Sequence, residues 1–360
     1  MKESIKLFFL LIFIISCKKE ADYVVPAGNP NTPIGNFDAF WNGIDQNYVF
    51  FNQDPVNWDN VYNENRSKVS STTTKAELKE ILKLMLKSLI DGHKKIEFED
   101  STSYSGRQLD GTVLNLNLTQ NIVNNYINNA STLKGNIPGT NIQSDEIVLG
   151  TIKNKSISYI NQRYFGNALQ DLQNQVNFNN FVSNSNSNSG LILDLRNNTG
   201  GEARAFYNLC SRFVSGSYTW GYSQFRISRN RYEMSPFLAE KIEGASVSYL
   251  NKMVILVNKN SASASEITAI ALKSRSNVVI MGDTTFGANG PLSDIVRYTG
   301  NFYLPNGWKV TLAQRITYDL NKNIYEGKGL IPNQVIKQDV NAFGNGKDNV
   351  LESAIKYLDN

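Results

Sequence analysis

Histidine and cysteine are nearly absent from this chain of 360 residues, which holds one of the first and two of the second. No Cys-x-x-Cys pair occurs, so a dedicated zinc site is not expected, and nothing in the pattern asks for another cofactor. With only Cys17 and Cys210 available, a disulfide framework is ruled out as the source of stability. Cys210 lies among Tyr207, Leu209 and Phe213 and reads as a small buried hydrophobe. The fold must therefore stand on its core, for which a chain of this length has ample residues. Charge of one sign is also lacking: 36 basic and 32 acidic residues leave a net +4. No basic run is interleaved with aromatics, so nucleic acid is not an expected partner.

Long apolar runs are missing too, except near the start. Lys2 and Lys6 precede an apolar run over residues 7–15, which is shorter than the roughly 20 residues a bilayer span needs. Ser16-Cys17 closes it, followed by Lys18, Lys19 and Glu20. A small residue before such a Cys resembles the lipobox of bacterial lipoproteins, which implies a cleaved signal over 1–17, a lipid on Cys17 and a membrane-anchored place in the cell envelope. An ordinary cleaved signal with a coincidental Cys is the alternative. Residues 18–35 are expected to be a flexible tether, since Pro, Gly and Asn fill 21–35 without periodicity.

Beyond the tether the spacing predicts a small helical subdomain over 36–100. Phe37, Phe40, Trp41, Ile44 and Tyr48 recur at helical intervals. A second helix is expected from Trp58 toward Val69. A third opens on Thr74-x-x-Glu77, a capping box, and carries Leu78, Ile81, Leu82, Met85, Leu86 and Leu89 on one face. It is expected to stop at Asp91-Gly92, directly before His93. Residues 101–152 read as a β-rich connector: Val113, Leu114, Leu116 and Leu118 suggest strands, with turns near Gly135 and Pro138-Gly139. An α/β core is expected over 153–340, because apolar strands at 157–160, 190–195, 253–257 and 278–281 alternate with helical stretches. SNSNSNS at 183–189 reads as a polar linker. The Phe302-Tyr303-Leu304 and Val310-Leu312 segments around Pro305-Asn306-Gly307 read as a hairpin closing that core, and 341–360 as a C-terminal helix.

Three local features could carry chemistry. Ser261-Ala262-Ser263-Ala264-Ser265-Glu266 lies between a buried strand and a helix, where free N–H groups favour developing negative charge. The same Ser263-x-x-Glu266 spacing also suits a plain helix cap. Asn197-Asn198-Thr199-Gly200-Gly201 can present backbone N–H groups to a ligand, or be only a strand-to-helix turn. His93 is the residue type most often used as a general base on serine, though a lone His is as readily a surface or core residue.

Taken together and in order, GLILDLRNNTGG, VILVNKNSASASEI, GDTTFG and GKGLIPN resemble the landmarks of the tail-specific (carboxy-terminal processing) serine peptidases over about 153–337. The resemblance implies a crotonase-like α/β core, Ser263 as nucleophile, and an oxyanion hole built from the N–H groups of Gly201 and Ala264. The lysine base of that branch has no counterpart, since Ala288 occupies its place in Thr285-Phe286-Gly287-Ala288, and Lys273 is not at the family position. Ile90-Asp91-Gly92-His93 and Tyr325-Glu326-Gly327-Lys328-Gly329 resemble instead the tricorn-core and retinoid-binding-protein-repeat branch, as do Phe40-Trp41 and Trp58-Asp59. That likeness implies His93 as base and Glu326 as the residue orienting it. Asn333 stands where the family usually has Asp. No PDZ pattern is visible in 100–150, so preference for C-terminal tails is not carried over.

Two functions remain in view. One is a serine peptidase hydrolysing peptides or unfolded protein segments in the envelope. The other is a non-catalytic lipoprotein that binds peptides or small ligands on the same fold.

Overall fold

The computed structural model describes residues 28–106, 108–292 and 300–360. The signal segment, Cys17 and most of the tether lie outside these residues. Among the described residues no helix is long and apolar enough to cross a membrane.

The N-terminal part begins with α1 (Pro33–Asn47). It starts ahead of Phe37 because Thr32 caps it through Gly35 N and Pro33 supplies the first-turn geometry. The last residues assigned to the tether are therefore helical. After α2 (Trp58–Arg66) comes α3 (Lys75–Lys87), with both halves of the Thr74/Glu77 capping box formed, a device worth about 1 kcal/mol. It stops at Ser88, so Leu89 to Lys94 form a loop rather than a last helical turn. Two short strands follow, β1 (Lys95–Glu97) and β2 (Ser103–Ser105).

The connector departs from expectation. Residues 111–125 form α4 (Gly111–Leu114) and α5 (Leu118–Asn125), not strands. Asp110 and Asn117 cap these helices through Thr112 N and Gln120 N, and Leu118 and Ile122 are buried one helical turn apart. The apolar alternation at 113–118 was thus a misleading pattern over two caps. After the short β2, strands resume only at β3 (Ile127–Asn136) and β4 (Gln143–Ile152), an antiparallel pair turning at Pro138-Gly139. Gly135 lies inside β3, not in a turn.

The α/β core runs β5 (Ile157–Gln162), α6 (Leu172–Ser185), β6 (Gly190–Asp194), α7 (Ala203–Cys210), β7 (Ser217–Gln224), β8 (Leu238–Glu243), β9 (Met253–Val257), α8 (Ala264–Leu272) and β10 (Val278–Gly282). The start of the expected polar linker is the last turn of α6, where Ser185 is buried. Then come β11 (Phe302–Tyr303), β12 (Lys309–Thr311), β13 (Ile316–Asp319), β14 (Gln334–Val335), α9 (Val340–Gly344) and α10 (Asn349–Asp359).

Among the described residues the strands form three sheets. The largest has the order β14-β10-β9-β6-β5-β4-β3, parallel from β14 to β5 and antiparallel beyond. Its central strands β6 and β9 are buried along their whole length, because helices cover both faces. α7 and α8 lie over one apolar cluster with Cys210 fully buried in it, and α10 over another. This mixed α/β architecture with an N-terminal helical region agrees with the expected fold class.

The hairpin β11-β12 does not close the α/β core. It pairs with β1, Ile96 opposite Val310, and buries Phe302, Trp308 and Leu312 against α1 and α3. The third sheet, β13-β7-β8, joins the hairpin's continuation to residues 217–243.

Candidate active site

Ser263 stands between β9 and α8. Its φ of 57° is in a region an L side chain rarely occupies, a strain of about 1–3 kcal/mol that surrounding structure must hold. The holding contacts are visible. Ser263 N donates to Ala288 O at 2.8 Å. Glu266, fully buried, accepts from Ser263 N (3.3 Å), Gly287 N (2.7 Å), Ala288 N (2.7 Å) and Thr285 Oγ1 (2.5 Å). Burial pushes the Glu266 carboxyl upward against these four donors. The Ser263-x-x-Glu266 spacing thus meets its capping expectation, and the carboxylate that accepts from Ser263 N also anchors the 285–288 loop.

The glycine turn faces this serine. A Cβ on Gly200 would come within 2.5 Å of Ser263 Cβ, and one on Gly201 within 2.1 Å of Phe165 O. Phe165 N donates to Gly200 O and Phe165 O accepts from Glu202 N. Both glycines hold a positive φ, 99° and 139°, and Gly201 lines the cleft. Ala264 N belongs to the first turn of α8, whose N–H groups have no intrahelical acceptor. Among the described residues neither N–H meets a protein acceptor, and both residues line one cleft with Ser263.

His93 lies on the loop between α3 and β1, its N–H held by Asp91 Oδ1 at 2.8 Å. Ligand atoms of Asp91, His93 and Glu326 all lie within 4.8 Å of one another. Asp91 Oδ2 accepts from Ala313 N at 2.8 Å. Glu326 accepts from Gly92 N at 2.6 Å and from Asn289 N and Gly290 N, each at 2.8 Å. All four carboxylate oxygens are therefore taken by main-chain donors, which tells against a cation cage. Burial lowers His93 to about 4 and raises Asp91 to about 6. Burial, reinforced by the charge of Asp91, also raises Glu326. The His93 Nδ1 is buried without a hydrogen-bond partner.

One segment ties the halves together. Ala288 is pressed against Gly92, where an added Cβ would meet Ala288 Cβ and Gly287 O at 2.5 Å. The O of the same residue binds Ser263 N. Residues 287–290 thus touch the histidine loop, Glu326 and the serine loop at once. The methyl of Ala288 is buried in the space a longer side chain would need. Lys273 is engaged elsewhere, by Asp319 Oδ2 at 2.9 Å and by Tyr325.

The cleft holds about 430 Å³ and is walled by Phe206, Trp220, Ile267 and Pro291, with the Glu240–Arg315 pair (3.3 Å) at one side. His93 and Glu326 are not among its lining residues. Sequence reasoning missed the sheet β13-β7-β8 that supplies Trp220, Glu240 and Thr317. It also missed Glu266 as an anchor of the 285–288 loop, although the capping spacing marked the residue, and Asp91, which stood unremarked inside Asp-Gly-His.

The model of "Peptidase family S41" matches residues 149–336. The chain belongs to peptidase family S41. The model of the tricorn protease C1 domain matches residues 31–87, the part that contributes α1, α2 and α3. A carboxyl-terminal-processing peptidase of Arabidopsis thaliana chloroplasts is 41% identical over 96 residues, 27% of this chain and 17% of that one. The chain spans less than a third of the length of the first curated S41 relatives it matches. Among solved structures, a candidate peptidase from Parabacteroides merdae superposes with a TM-score of 0.75 at 24% identity, over 91% of this chain and 97% of that one. The tricorn protease gives 0.56 at 15% identity, over 91% and 37%. Both likenesses speak for the S41 fold.

Proposed function

We propose that this S41 chain is an active serine peptidase in which Ser263 is the nucleophile, His93 the base and Glu326 the group that orients the histidine. Ser263 Oγ attacks the scissile carbonyl carbon and its proton passes to His93. The oxyanion is met by the N–H groups of Gly201 and Ala264. His93 then returns the proton to the leaving amine, and water, deprotonated in turn by His93, releases the acyl group from Ser263. The imidazolium that forms has the carboxyl groups of Asp91 and Glu326 beside it, against a burial that disfavours its charge.

The observation that carries this reading is the 287–290 segment, which binds the serine loop through Ala288 O and the Glu326 carboxylate through Asn289 N and Gly290 N. The cleft's walls of Phe206, Trp220 and Ile267 suit an apolar substrate side chain next to the scissile bond. Substrates are peptides or unfolded protein segments, and the motif ending at Cys17 supports a lipid anchor holding the chain in the cell envelope.

Labelling of the full-length chain with a fluorophosphonate tests the assignment. Wild type is expected to form an adduct at Ser263, located by intact and peptide mass, while Ser263→Ala and His93→Ala do not. A folded wild type that stays unlabelled beside an active S41 control sinks it. The second reading, a peptide- or ligand-binding lipoprotein, is favoured by the absence of His93 from the cleft lining, and that outcome would turn the search to a bound ligand.

A further inference from the structure

The two oxyanion donors sit on different loops, Gly201 on the turn after β6 and Ala264 behind the loop after β9. Their separation depends on what holds these loops together. Part of that is main chain and hydroxyl: Ala262 N donates to Asn198 O at 3.0 Å and Ser261 Oγ to Leu195 O at 2.8 Å. The rest is a cluster of three asparagine amides. Asn258 Oδ1 accepts from Asn197 N (3.0 Å) and Asn260 N (3.1 Å), and its Nδ2 donates to Asn197 Oδ1 (2.9 Å). Asn260 Nδ2 donates to the same oxygen at 3.2 Å.

The cluster does not end at these loops. Asn260, fully buried, accepts from Asp110 N at 2.8 Å and donates to Asp110 O at 3.0 Å. Asn197 Nδ2 donates to Val113 O at 2.9 Å. Both partners lie in residues 108–114, a strap that runs from the N-terminal part toward α5. No side chain of α4 is buried. Among the described residues, apart from Leu109, packed against Ala262, Phe286 and Ala288, and Lys259 at 3.6 Å from the Asp110 carboxylate, the strap is held by these amide bonds. A segment docked by few apolar contacts opens at low free energy. Its departure would leave the buried Asn260 side chain with one of its three bonds and Asn197 Nδ2 with none, a state that rearranges or takes in water.

We propose that Asn260 is a positioning residue for the oxyanion hole, and that the docked strap of residues 108–114 sets, through Asn260 and Asn197, the alignment of Gly201 with Ala264. This rests on the peptidase reading of Ser263. The strap is no part of the cleft lining, so its release acts on the chemical step and leaves substrate binding alone.

The test resolves fluorophosphonate labelling of the full-length chain into a maximal rate and a half-saturating concentration. Wild type is compared with Asn260→Ala, Asn260→Asp and Asp110→Pro. Proline suits the Asp110 φ of −71° and deletes the strap N–H without altering the serine loop, so it serves if Asn260→Ala fails to fold. The maximal rate is expected to fall about tenfold or more in Asn260→Ala and Asp110→Pro, with half-saturation within about twofold. Asn260→Asp keeps the acceptor for Asp110 N and is expected to fall between. Amide exchange over residues 108–114 is expected to accelerate in the same order. If exchange accelerates while both variants label at the wild-type rate, the coupling is refuted and the peptidase reading stands. A rise in half-saturation alone refutes it equally. A wild type that does not label removes both.

Discussion

Glu326 accepts the main-chain N–H of Gly92 at 2.6 Å across 234 residues of sequence. With that one bond a loop that follows β13 takes hold of the residue beside His93. Its other oxygen binds Asn289 N and Gly290 N. The carboxylate is therefore as much a clamp on three chain segments as a group beside an imidazole, and the two roles make separable predictions.

Glu326→Ala strips three buried main-chain donors of their acceptor. A loss of about 3 kcal/mol or more is expected by denaturant unfolding. Glu326→Gln keeps the shape but sets an NH2 against an N–H, so a smaller stability loss is expected, with Ser263 labelling slowed about 100-fold or more. Equal labelling by Gln and wild type would remove Glu326 from the mechanism.

His93, lowered by burial to about 4, has an unperturbed value near 6.5. The neutral, proton-accepting ring then persists well below pH 6. The rate of Ser263 labelling is expected to stay level from pH 8 to about 5 and to halve near 4. The sign for stability is the same. The folded value lies below the unfolded one, so His93's contribution is full above about 6.5 and is lost as pH falls toward 4. An acid limb centred between 6 and 7 that persists in Asp91→Asn, which removes the neighbouring group raised to about 6, would show that the working ring is solvated.

Strain at Ser263 gives a stability test independent of activity. Ser263→Gly relieves a φ of 57° and is expected to raise stability by about 1 kcal/mol while abolishing labelling. Thermal unfolding that drops instead would mean the backbone is not strained there.

Gly92→Ala drives a methyl into Ala288 Cβ and Gly287 O, each 2.5 Å from the added atom. Because the serine loop hangs from Ala288 O, labelling is expected to fall about 100-fold, as small displacements of catalytic groups do. Gly92→Ala with Ala288→Gly is expected to recover part of the rate, since one of three close contacts is gone while Gly287 O (2.5 Å) and the Cα of residue 288 (2.7 Å) remain. No recovery would place the damage elsewhere than at this contact.

The sequence was legible where local physics and one contact order suffice. The box at Thr74 and Glu77 names its helix start because both partners lie within one turn. The runs at 190–194 and 253–257 announce strands buried on both faces by having no polar side. Caps deceived at 113–118, where Asp110 and Asn117 wrote helix starts beneath an apolar alternation. The hairpin at 302–312 was read correctly as a hairpin and assigned to the wrong neighbour, because the turn fixes the pairing of its two strands and says nothing of the third.

By itself, then, the sequence determined the elements of the core, the glycine turn, the serine at the head of a helix and the lack of a lysine where Ala288 stands. Each is set by residues close together in the chain. The tertiary structure alone decided that Ala288 touches both Gly92 and Ser263, that Glu326 clamps the histidine loop, and that Asn260 reaches back to Asp110. Such contacts join residues far apart in the chain. They follow from how the sheet, the hairpin and the N-terminal helices exclude water together, which no local period records.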